Sequence, residues 1–124
     1  MIETYTITAT VTGSDGSAAG TAYTREPVNG VLIGLYVDYV TQPATADVTI
    51  ATVNAPVRTL LTLTDNATDG WYYPRVQVHG VTGTALTLDG TRLMVDLFAI
   101  ADYVSVVVAQ GNAGSVTVYL LVER

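Results

Sequence analysis

Period two dominates this chain. In ETYTITATVTG, Tyr5, Ile7, Ala9 and Val11 fall on one side, and Thr4, Thr6, Thr8, Thr10 and Thr12 on the other. That alternation describes a half-buried strand with β-branched threonine on its wet face. GSDGSAAG, from Gly13 to Gly20, has the composition of a flexible loop. A short strand around Thr21 to Thr24 then leads to Pro27 and the turn pair Asn29-Gly30. VLIGLYVDYV is apolar on both faces, which places it centrally in a sheet. DVTIATV alternates again, with Val48 and Ile50 inward, and the next strand runs from Arg58 to Leu63. TDNATDG is a second large loop. Further on, a strand near Ala85 to Leu88 precedes the hairpin signal Asp89-Gly90, and Arg92 to Ile100 reads as extended chain. YVSVVVAQ and SVTVYLLVE flank GNAG and predict a terminal hairpin. Val104, Val106 and Val108 share one face, as do Val116, Val118, Leu120 and Val122. Val107, Tyr119 and Leu121 make the opposite face apolar too, so the hairpin belongs mid-sheet or under a neighbouring subunit.

No stretch has a helical period. Eight to nine strands at spacings of about ten residues predict an all-β fold, an antiparallel β-sandwich of jelly-roll or immunoglobulin-like type. The whole chain, residues 1–124, forms a single domain with a flexible loop at 13–20.

TDGWYYPRVQVHG, Thr68 to Gly80, holds the only Trp and the only His. Alternation puts Trp71, Tyr73, Arg75, Gln77 and His79 on one side, and Tyr72, Pro74, Val76 and Val78 on the other. Pro74 lacks an N–H and fits an edge strand or a bulge. Trp, Tyr and Arg together have the composition of a protein interface. Two other arrangements stay open. A bulge at Pro74 would turn Trp71 and Tyr73 into the core, and an aromatic platform would bind a small ligand.

Composition narrows the function classes. Eleven acids face five bases, a net charge of −6; every base is Arg and Lys is absent. Isolated arginines in an acidic chain do not supply the clustered cations that phosphate backbones or anionic membranes require. No nucleic-acid or membrane partner is expected. The chain starts on alternating strand residues, so no targeting segment is expected either. Cysteine is absent, which excludes disulfides and thiolate chemistry. Charged residues make up only 13% of the chain and apolar residues 49%, against roughly 25% charged in ordinary soluble domains. A surface so short of charge is expected to be covered by other protein.

The residues of catalysis do not assemble in the sequence. His79 has only Ser14, Ser17, Ser105 and Ser115 as candidate hydroxyl partners, and none lies in a G-x-S-x-G elbow. Loop acids such as Asp65 and Asp69 cap turns more often than they catalyse. DNATDG resembles a calcium loop in Asp65, Asn66 and Asp69, but Ala67 and Val76 stand where oxygen ligands belong. No enzyme activity, cofactor or metal is expected.

LYVDYVTQPATADVTIAT, TDGWYYPRVQVHG and ADYVSVVVAQGNAGSVTVYLLVE resemble small all-β virion proteins of tailed bacteriophages, over Gly34 to Glu123. The resemblance implies a capsid decoration, or cement, protein. Such a protein is made in the host cytoplasm, sits on the virion surface as a homo-oligomer, most often a trimer, and clamps the major capsid protein lattice. The alternative is a carbohydrate-binding or receptor-binding sandwich of a tail or fibre, with Trp71, Tyr72 and Tyr73 stacking on sugar rings.

Overall fold

The structure, a computed structural model, describes all 124 residues, Met1–Arg124. It contains ten strands and no helix: β1 (Ile2–Val11), β2 (Ala18–Tyr23), β3 (Val28–Asp38), β4 (Asp47–Thr52), β5 (Thr59–Leu63), β6 (Gly70–Tyr72), β7 (Arg75–Gln77), β8 (Val95–Asp102), β9 (Val104–Gly111) and β10 (Gly114–Glu123). No helix long and apolar enough to cross a membrane is therefore present. One sheet has the order β1-β10-β3-β8-β7, with β6 also on β3; the other has the order β2-β9-β4-β5. All pairings are antiparallel.

The fold class follows the alternation in the sequence, but the strand count is ten, not eight or nine. Pro74 accounts for part of the difference. It has no N–H to give a ladder, and the segment expected to be one strand divides there into β6 and β7. The stretch Ala85 to Leu88 does not count as a strand, since only isolated bridges, His79 to Ala85 and Thr87 to Leu93, hold it.

The terminal hairpin is not formed. β9 lies between β2 and β4, and β10 lies between β1 and β3. Ten residues of β1 occupy one edge of β10 and β3 takes the other, so no edge remains for β9. The two valine rows meet from opposite sheets, and Val104, Val106, Val108, Val116, Val118, Leu120 and Val122 are fully buried. Asn29-Gly30 is not a turn either. Both residues lie inside β3, and a Cβ on Gly30 would come within 2.4 Å of the Glu123 carbonyl oxygen. That glycine serves the close approach of β10 to β3. The loop expected at 13–20 closes early: Ala18 is already buried in β2, and Thr12 and Ala19 exchange two 3.0 Å hydrogen bonds that join the sheets at one corner.

Twenty-two buried residues form one core, to which β3 contributes Leu32, Leu35 and Val37 and the smaller sheet Val48, Ile50 and Val106. Tyr39 is the largest fully buried side chain, and its hydroxyl has no hydrogen-bond partner. Burial is the main cause that pushes its ionisation well above the usual tyrosine range, with Tyr72, Asp69 and Asp47 adding to it. An unpaired buried hydroxyl costs about 1–3 kcal/mol. Tyr39→Phe is therefore expected to leave stability unchanged or raise it by about 1 kcal/mol. Urea denaturation monitored by Trp71 fluorescence checks this, and a loss larger than that would contradict it.

Candidate functional site

The register of the larger sheet lines up side chains on its outer surface. Tyr119 pairs with Thr6 on one side and Tyr36 on the other, and Tyr36 pairs with Trp71. Side chains directly opposite in adjacent antiparallel strands stand on the same face. The row Thr6, Tyr119, Tyr36, Trp71 thus crosses β1, β10, β3 and β6. The neighbouring row runs Thr4, Leu121, Gly34.

Gly34 leaves the space that Tyr73 fills. A Cβ there would meet the Tyr73 ring at 2.8 Å. Tyr73 stacks on Trp71 with ring centroids 6.5 Å apart and planes 12° apart. Trp71 meets Tyr36 edge to face at 5.3 Å, and Tyr36 meets Tyr119 at 6.3 Å. Each such pair contributes about 0.5–1.5 kcal/mol beyond its buried area. The four rings thus hold one another in place; Tyr36 and Tyr119 are half-buried, while Trp71 remains 49% exposed and Tyr73 59%. Between them lies an open groove of about 340 Å³ lined by Thr4, Tyr36, Trp71, Tyr119 and Leu121. No residue of this lining carries a charge.

The five residues expected on one side divide into two groups. Trp71 and Tyr73 stand on the outer face, and the turned-in arrangement is not adopted; Tyr72 and Val76 pack against the core instead. Arg75 is exposed and donates through Nη1 to the carbonyls of Ile33 and Pro74, at 3.2 and 2.9 Å. Ile33 is the extra residue of a bulge opposite Leu121 and Val122, and the bulge leaves its carbonyl free to accept that bond. Gln77 is half-buried on β7, and His79 is exposed beyond it. Tyr36 and Leu121 join the site through cross-strand register, which a linear alternation does not contain.

Beyond β7 the chain leaves the sandwich as a narrow arm. Val78, Leu86 and Met94 are linked in turn by backbone hydrogen bonds of 2.9–3.1 Å, and Leu88 bonds Arg92 at 2.8 Å. No residue from Val78 to Leu97 is buried. Val81, Leu86, Leu88, Leu93, Met94 and Val95 are all exposed. At the tip, Gly90 takes a left-handed φ of 87°. Asp89 accepts the backbone N–H groups of Thr91 and Arg92 and pairs with the Arg92 guanidinium at 2.8 Å.

The other candidate chemistry disperses. Asp69 accepts the Tyr39 backbone N–H at 2.8 Å, and Asn66 accepts that of Thr68 at 2.8 Å. No three His, Cys, Asp or Glu side chains converge where they could hold a metal ion. Ser105 is buried and donates to the Ala51 carbonyl. The largest cleft, about 420 Å³, lies between Asn54–Arg58 and Ala99–Asp102. In it the Arg58 guanidinium donates to the Ala99 carbonyl. Burial pushes the Asp102 carboxyl up, but hydrogen bonds from Asn54, Tyr103 and Val53 outweigh it and hold the group below the usual range. These contacts join the loop after β4 to the end of β8.

Comparison with protein-family models, curated proteins and solved structures gives no match.

Gly34→Ala should keep the fold and displace the Tyr73 ring from Trp71. The near-ultraviolet circular dichroism of Trp71 reports this, and a spectrum identical to wild type would contradict the packing described. At the arm tip, the Arg92 backbone N–H, then its guanidinium, then Thr91 lower the Asp89 carboxyl from 3.8 to about 2. The tip bonds are therefore intact above pH 3.8 and are lost as pH falls through about 2. The amide shifts of Thr91 and Arg92 should titrate with that lower midpoint; a midpoint near 3.8 would show the bonds absent.

Proposed function

We propose that this chain is a non-enzymatic structural protein of a tailed-phage virion, a decoration protein that binds and stabilises the major capsid protein lattice as a homo-oligomer. One observation carries the reading: an aromatic face on the outside of the larger sheet, exposed Trp71 and Tyr73 beside half-buried Tyr36 and Tyr119, around a groove whose lining carries no charge. Contiguous apolar surface of this kind marks a protein contact, and Trp and Tyr are the side chains that dominate such contacts.

We read the chain path as a jelly roll. The strand orders β1-β10-β3-β8 and β2-β9-β4-β5 support this, since β4 and β5 are the only consecutive strands among these eight that pair. Jelly rolls occur in viral capsid and lectin domains. A jelly roll is therefore compatible with both candidate functions, and the preference between them is argued from the site. Sugar recognition needs amides or carboxylates beside the stacking ring to take up hydroxyl hydrogen bonds. Here the groove offers only Thr4 and the tyrosine hydroxyls, which favours protein. A clamp that binds only the assembled lattice stabilises it by mass action, and several weak contacts on one oligomer act together. The near-parallel Trp71–Tyr73 stack favours a second reading, a carbohydrate-binding module of a tail or fibre.

Co-sedimentation with expanded empty phage heads tests the proposal. Wild type should pellet at many copies per head, and Trp71→Ala should weaken binding at least about tenfold. Failure to pellet, combined with polysaccharide retention that Trp71→Ala abolishes, would replace this reading with the carbohydrate one.

A further inference from the structure

The arm and the groove are two uncovered apolar surfaces on one chain, and they differ in shape. Alternation assigns Val76 and Val78 to the same side of the ribbon, and Val76 packs against the core. The hydrogen bonds among Val78, Leu86 and Met94 place these residues and Leu88 on that same side. The arm is thus a continuation of the core-facing side of the larger sheet. The opposing sheet has only four strands, β2, β9, β4 and β5, and none of them pairs with or covers the arm. Leu88 is left 66% exposed on a surface built like a core.

The area agrees. The chain exposes 6888 Å², whereas a compact monomer of this mass exposes about 6,400 Å². The excess, roughly 500 Å², is the surface that an uncovered arm adds to a compact fold. Charge identifies the kind of partner. The chain carries −6 overall, so copies repel except where charge is absent. The groove lining has none, at the arm tip Asp89 and Arg92 neutralise each other, and Asp96, opposite Val76 at the base of the arm, is the charge that remains on that side. The arm presents a projecting aliphatic strip, Leu86, Leu88 and Met94, and the groove presents an aromatic recess. Each is uncovered in the single chain.

We infer that the arm of one copy packs its Leu86, Leu88 and Met94 face into the aromatic groove of a second copy. The inference rests on the reading of that face as a protein-binding surface and gives the face to this same chain, so that Trp71→Ala weakens lattice binding by dissolving the oligomer whose several contacts act together. Donor and acceptor are different patches, so the contact repeats head to tail into a closed ring or, exchanged both ways about a two-fold axis, makes a reciprocal pair.

Two variants at outer positions test it: Leu88→Lys on the arm and Leu121→Lys in the groove. Lysine lowers the net negative charge, so a loss of assembly cannot come from added repulsion. Unchanged far-ultraviolet circular dichroism and thermal midpoint establish that each variant folds. Light scattering on wild type at tens of micromolar should give a multiple of 13.1 kDa. Each variant alone should be monomeric, with self-association weakened at least about tenfold. Their equimolar mixture should recover a species of twice the monomer mass, because one intact arm meets one intact groove. A monomeric wild type overturns the inference. So does a Leu121→Lys protein that assembles like wild type, which would mean that arm meets arm. So does a mixture that stays monomeric. Monomeric wild type that still pellets with empty heads, through Trp71, would overturn this inference alone and leave the proposed function standing.

Discussion

Every strand here that is apolar on its inner side needs an opposing apolar row, and that requirement organises the molecule. β9 and β10 illustrate it. Their valine rows lie in different sheets and close on each other across the core, and β1, β2, β3 and β4 take up their edges. The sandwich is well filled wherever the two sheets overlap. It ends where the smaller sheet ends, and beyond that point the arm carries core-like residues with no cover of their own.

The outer surface obeys a different economy. Toward β1 it is solvated by threonine: Thr4, Thr6, Thr8 and Thr10 stand exposed, and Thr8 and Thr117 share a hydrogen bond at 3.2 Å. Toward β3 and β6 the threonines give way to Tyr119, Tyr36, Trp71 and Tyr73, whose rings brace one another. A pre-braced aromatic surface loses little side-chain freedom when a partner covers it, which lowers the cost of association. The low charge content has the same meaning at both places, since neither the groove nor the arm tip presents net charge to an approaching protein.

Much of this was legible in the sequence. The alternations in β1, β4 and β10 identified their buried faces residue by residue, and the double-sided apolar character of VLIGLYVDYV identified the central β3. Period two put Trp71 and Tyr73 on the outer side but left open a bulge at Pro74 that would have turned them inward. What did not follow was pairing. Nothing local distinguishes GNAG as a hairpin turn from GNAG as a link between sheets, because the choice depends on which distant strands occupy the edges of β9 and β10. Register is equally non-local. Tyr36 and Leu121 enter the groove through partners that lie far away in the chain. Gly30 looked like a turn residue because its real reason, the approach of Glu123, is a tertiary one. The arm is not legible in the sequence because its residues look like an ordinary half-buried hairpin, and only the extent of the opposite sheet shows that nothing buries them.

The central claim is that the charge-poor surface exists to be covered by other protein. Hydroxyl-radical footprinting compares side-chain accessibility in the dilute chain and in the assembled particle. The account predicts strong labelling of Tyr36, Trp71, Tyr119, Leu88 and Met94 in the dilute chain and marked protection of the same five on assembly, with Thr8 and Thr10 little changed. Equal labelling of the five in both states would contradict it.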